Sequence, residues 1–322
     1  VEIHTGSAAA ELLALMPVVF VPFNIPTLSY KTMGMGLLSL GLLFQLRAVG
    51  SSDSAKLFRA AGLAHGFACL AYPSLAAVPV FMLGLISCFA PTPRRTNAIA
   101  YALPVALIGA LCGLVVVLIG VDALAASIYY TTSGPPRFVD PFQGALSQLK
   151  GEALVVGWLV GIGLSFRFAR WLLVPMTTAL PVVLFLSLSR WEAPTDSLFF
   201  VIYLAAMAPC FAFVAGDRGW ARAVGIWVML PAVLAAMIFS FTSATCFWNS
   251  SLGWFPVSIF TRVFIVMAVR NTLTPTWATW AMLLPLVAVN GVLVFARYAG
   301  VYREPTIDGL IKCVGSGPYA GL

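Results

Sequence analysis

Asp122 interrupts an apolar stretch that runs from Leu114 to Ile128, and no other Asp, Glu, Lys, Arg or His lies between Arg95 and Arg137. A carboxylate inside hydrocarbon is costly unless it faces a protein-lined cavity, finds a partner or stays protonated, so an acid there marks a functional site by default. A protonated acid facing an apolar pocket suits proton-initiated chemistry on an alkene or epoxide. A lone carboxylate equally suits a carrier that binds a proton or cation. Tyr129 and Tyr130 would mark the membrane edge about 10 Å further on, at 1.5 Å per residue, and a structural acid near the interface is then the plainer alternative.

His65 and Cys69 are one turn apart and would share a helix face. That pair could hold a nucleophile with its base, a proton relay, or a hydrogen bond inside a bundle. Glu152 opens an expected helix directly after the longest polar break and joins Asp122 and His65 as a catalytic candidate, although an acid there also complements the helix dipole. Phe241, Phe247, Trp248 and Trp254, flanked by Phe239 and Phe255, surround a polar run, and Asn290 is an isolated polar residue at depth. Aromatic faces stabilise a cationic ligand or carbocation by about 0.5 to 2 kcal/mol each, so these residues could line a substrate pocket. A membrane-interface belt and an interhelical hydrogen bond are their bland counterparts.

These residues are set in a chain of 322 residues that is 61% hydrophobic and 9% charged, with a mean hydropathy of +0.98. No ordinary soluble domain has that composition. The expected fold is an all-α, polytopic transmembrane bundle forming a single integral membrane domain over 1–322. Its expected spans are 9–25, 33–49, 57–72, 75–90, 98–128, 152–169, 171–189, 197–215, 223–243, 255–269 and 277–297. If 75–90 and 171–189 do not cross, the range is about eight to eleven spans. Several carry proline and are expected to kink. The segment 131–151, rich in Pro and Phe, reads as a loop capping one face.

Arg47, Lys56 and Arg59 fill one break and Arg94 with Arg95 another. Arg167 with Arg170, Arg218 with Arg222, and Arg270 follow, all on one side if eleven spans cross. By the positive-inside rule that side is cytoplasmic. Asn249-Ser-Ser251 opposite is a glycosylation pattern that would suit an endomembrane such as the endoplasmic reticulum. A chain that begins with Val1 lacks at least an initiator Met, so a removed signal peptide or a truncation is open.

The net charge of +7 is scattered without a basic stripe, which excludes nucleic acid as the expected partner. Six cysteines without a CxxC, and two histidines, suggest neither a disulfide framework nor a metal or haem site. Nucleotide, zinc-hydrolase, nucleophile-elbow and aspartate-rich diphosphate motifs are lacking, so no cofactor is expected. Three functions fit. The first is an intramembrane enzyme acting on a lipophilic, isoprenoid-like or lipid substrate by metal-independent acid catalysis, as a cyclase or isomerase would. The others are a small-solute or proton-coupled carrier and a non-catalytic subunit of a membrane complex. The bilayer and a lipophilic small molecule are the expected partners.

Overall fold

The computed structural model describes residues 30–120, 122, 153–188, 218–241 and 250–272, and the isolated positions 205, 208, 277, 280, 284, 287 and 288. Among the described residues every regular element is helical. Among the described residues, three helices are long and apolar enough to cross a membrane, at Tyr30–Val49, Arg94–Leu118 and Gly219–Ser240. The chain divides into two compact units that interleave in sequence, one built from Leu28–Gln148 with Gly219–Pro256 and the other from Val1–Thr27, Leu149–Arg218 and Val257–Leu322.

The first unit is ordered by helix α1 (Tyr30–Val49), α2 (Ser54–Ala71), a single tight turn at Pro73–Ala76, α3 (Ala77–Phe89) and α4 (Arg94–Ile119). α1 packs on α2, and α2 packs on α4. Glycine makes both contacts close. Gly34 of α1 lies against Tyr72, and Gly41 lies under the His65 ring, which sets α1 antiparallel to α2. Along α2, Gly62 meets the Tyr101 carbonyl and Pro104, and Gly66 meets Ile108, so α2 and α4 run parallel. Gly62-Leu-Ala-His-Gly66 is a GxxxG step, whose bare backbone lets two membrane helices approach closely.

At the N-termini of α2 and α4, the Ser54 hydroxyl donates to Asn97 Oδ1 at 3.1 Å, and Asn97 Nδ2 donates to the Pro91 carbonyl at 2.9 Å. That short clasp returns α3 to the same end. A further helical rod, α7 (Arg218–Val224), one π-helical turn (Gly225–Met229) and α8 (Leu230–Phe241), enters this unit from Gly219 onward. Trp227 packs on Phe58, and Phe239 packs on Tyr72 at 4.8 Å between ring centres, so this rod runs parallel to α2. Arg47, Lys56, Arg59, Arg94, Arg95 and Arg222 therefore share one end of the unit, with Lys31 at the other. The stacked Tyr30–Tyr72 pair also lies at the far end, in keeping with an interfacial ring belt. The outer face of α4, carrying Leu103, Leu107, Leu111, Leu114 and Leu118, is exposed and suits contact with lipid.

In the other unit, α5 (Ala153–Phe168) and α6 (Leu173–Leu188) form an antiparallel hairpin joined by a tight turn at Arg170–Leu172. Trp158 Nε1 donates to the Met176 carbonyl at 2.8 Å, and Gly161 receives the Met176 side chain. Helix α9 (Ser250–Thr272) belongs to the first unit through Pro256 and to the second beyond it. Its start packs through Gly253 on the backbone of Ala235 and Ala236 in α8.

Helices occupy all the expected spans that the described residues cover, including the short 75–90. The main difference concerns the expected span 98–128, because α4 ends at Ile119 on Gly120, whose φ of +102° breaks the helix. The expected spans 9–25, 197–215 and 277–297, apart from isolated positions in the last two, the cap at 131–151 and the Asn249 pattern lie outside the described residues.

Replacing Gly62 with Leu should drive a side chain into the Tyr101 carbonyl and cost about 1 to 3 kcal/mol, as overpacking does. Gly84 in α3 has open space around its Cα, so Gly84→Ala is the near-neutral control. Thermal unfolding in detergent should show a lower Tm for Gly62→Leu alone. Equal Tm values would contradict the close α2–α4 contact.

Candidate functional site

His65 is the side chain that ties α1, α2 and α4 together. It lies 1% exposed, flat on the backbone of Gly41, where any larger residue would collide with it. Its Nε2 faces the Leu38 carbonyl of α1 at 3.3 Å, and its Nδ1 meets the Tyr101 hydroxyl of α4 at 2.7 Å. A carbonyl only accepts, so Nε2 carries hydrogen; in the neutral ring Nδ1 must then accept from Tyr101. Tyr101 is fully buried and sits edge-on to the imidazole, with ring centres 5.9 Å apart. One short bond and one long one hold the ring in a single tautomer.

Gln45, one turn beyond Gly41 on α1, is also fully buried. Its carboxamide approaches the Tyr101 hydroxyl without closing a direct hydrogen bond to it. One turn before Tyr101, Asn97 is buried in the clasp with Ser54. Asn97, Gln45, Tyr101 and His65 thus form a row of buried polar groups that starts at the basic end of the unit. Past His65 the helix seam is lined by Gly34, Met35 and Ala68 and by the rings of Tyr72 and Phe239. Ser39, whose hydroxyl donates to the Met35 carbonyl at 2.8 Å, and Ser240 are buried polar groups toward that far end as well.

Among the described residues, the remaining candidates take no part in this cluster's hydrogen bonds. Asp122 is exposed, two residues beyond Gly120. The 26 residues of α4 cover about 39 Å at 1.5 Å per residue, more than a hydrocarbon core of about 30 Å, so Asp122 sits beyond the end of an apolar rod opposite the basic end. Cys69 is half-buried and free, and it takes no part in the hydrogen bonds of His65. Trp254 is half-buried on α9. Phe241 ends α8, and nothing is described of its side chain. Glu152, Phe247, Trp248 and Asn290 lie outside the described residues. Among the described residues, no three His, Cys, Asp or Glu side chains gather as a metal site.

Two participants in the site escape a reading of the sequence. Tyr101 and Gln45 look like ordinary residues of apolar helices, and only their packing against His65 reveals them. The GxxxG step around His65 was a legible signal of a tight seam. Arg262, 3% exposed in the second unit and inside the expected span 255–269, is a buried ionisable residue in an apolar helix and meets the same default that singled out Asp122. Neither a protein-family model, a curated protein nor a solved structure matches the chain.

Tyr101→Phe leaves the His65 Nδ1 buried without its donor and should destabilise the protein by about 1 to 3 kcal/mol. Denaturation in mixed micelles measures this. In protein labelled with 15N-histidine, the His65 ring should show the neutral Nε2–H tautomer, and loss of the Tyr101 hydroxyl should shift the Nδ1 resonance. An Nδ1–H tautomer would refute the assignment.

Proposed function

We propose that the chain is a multi-pass integral membrane protein whose His65–Tyr101 pair is an acid–base centre acting on a lipophilic substrate without a metal. The observation that carries this reading is the row of buried polar groups that reaches the hydrogen-bonded His65–Tyr101 pair from the basic end. Such a row can supply or remove protons for chemistry inside the bundle, whereas coupled transport across the membrane needs access from both faces. Tyr101 is the proton donor to the ring, the Leu38 carbonyl fixes the tautomer, and Gly41 sets the ring's depth. The acid–base role falls on this pair in preference to Asp122 because the pair is buried and hydrogen-bonded, while Asp122 is exposed. A cytoplasmic basic end follows the charge asymmetry, and the Asn249-Ser-Ser251 pattern suits an endomembrane. Isomerisation or cyclisation of an isoprenoid-like compound is the reaction class this chemistry fits.

A second reading, a proton-coupled carrier, is favoured by the crowding of the pair. Gly41 and Gly62 bring helix backbone against His65 and Tyr101, which leaves room for a proton more readily than for a bulky molecule.

Microsomes bearing the protein, offered prenylated and epoxidised lipophilic compounds, should form product detectable by mass spectrometry. His65→Gln and Tyr101→Phe should each slow turnover by about 100-fold or more, the usual share of general acid–base catalysis. Asp122→Asn should stay close to wild type. Normal turnover by His65→Gln at unchanged protein level would remove the pair from the mechanism. Solute flux driven by a pH gradient in sealed vesicles, lost in His65→Gln, would establish the carrier instead.

A further inference from the structure

Gln45 is the least expected residue of the row. It lies four residues before the end of α1, about 6 Å along the helix from Val49, and is fully enclosed by helices. Neither its Oε1 nor its Nε2 makes a direct hydrogen bond among the described residues, although the carboxamide stands beside the Tyr101 hydroxyl. A buried carboxamide left unsatisfied is costly, and a water molecule commonly supplies the partner that such a group lacks. The site supplies the partners that a buried water requires. Oε1 and Nε2 of Gln45 offer an acceptor and a donor, and the Tyr101 oxygen, having donated its hydrogen to His65, retains lone pairs to accept another.

We propose that Gln45 and Tyr101 hold a buried water that links the His65–Tyr101 pair to the solution at the basic end of the unit, making this the pair's route of proton exchange. The water passes a proton to the Tyr101 oxygen as the Tyr101 hydroxyl passes its own to His65 Nδ1. A proton from solution then restores the water, so the net change is one proton moved from solution to the ring, and phenol and water are regenerated. Asn97 and Ser54 lie at the outer end of this route, one helical turn from Tyr101. Gln45 is thus a positioning residue that acts through Tyr101. As a route of supply this rests on the pair being the proton site, but the water itself is measured without turnover, so either idea can fail alone.

The chain has only two histidines, His4 and His65, which makes the test direct. The His4→Gln protein, labelled with 15N-histidine and reconstituted in phosphatidylcholine bilayers, is examined by water-edited solid-state NMR. The His65 Nδ1 signal, read through the Tyr101 hydroxyl proton that is bonded to it, should receive magnetisation from water rapidly. Gln45→Leu should lose most of that transfer while the ring keeps the shifts of the Tyr101-bonded tautomer, which reports that the helices remain packed. Gln45→Met, closer in shape, gives the same comparison if the Leu variant does not fold. Absence of transfer in the parent protein, or equal transfer with and without the Gln45 carboxamide, would overturn the proposal. A water signal that persists beside full turnover by His65→Gln would leave the water site standing and remove its catalytic purpose.

Discussion

Close approach of helix backbones is the constraint on which the first unit depends. Between membrane helices there is little hydrophobic drive, because lipid tails are as apolar as the side chains they would replace, and association rests on dense packing and internal hydrogen bonds. Gly41, Gly62 and Gly66 remove the side chains that would hold α1, α2 and α4 apart. His65 exploits that proximity. Its ring fills the space over Gly41 and reaches a carbonyl on one helix and a hydroxyl on another, so one residue of α2 satisfies both of its nitrogens across the seam. A larger residue at 41 would displace the ring, and the two hydrogen bonds would go with it.

The same packing creates an asymmetry along the membrane normal. Parallel α2 and α4, with the α7–α8 rod beside them, gather Arg47, Lys56, Arg94 and Arg222 at one end, where the Ser54–Asn97 clasp also sits. Aromatic rings occupy the other end. Buried polar side chains lead from the basic end to His65, and that link from helix direction to chemistry is what an acid–base role for the pair would use.

Much of the scaffold was legible as sequence. Apolar runs of spanning length located α1, α2, α5, α6, the α7–α8 rod and α9 to within about five residues, and the start of α4 but not its end, because burying backbone polar groups in lipid requires helix and hydropathy reports the burial. The position of Asp122 was less legible. Hydropathy runs smoothly through Gly120 to Ile128, but the left-handed backbone at Gly120 ends α4 and leaves the acid exposed. A lone charge attracts attention in a sequence because it contrasts with its neighbours. Gln45 and Tyr101 offer no such contrast, and their importance arises from what faces them.

The sequence by itself determined the helical, membrane-suited character of the protein, its surplus of positive charge at particular breaks, and His65 as a candidate for proton chemistry. Those properties are local, set by composition and by neighbours within a turn or two. Tertiary structure alone decided that His65 meets Leu38 and Tyr101, 27 and 36 residues away, and that Asp122 stands apart from them. A hydrogen bond across helices depends on how three rods pack in space. Helix periodicity specifies which face each residue occupies but not which residue it will face.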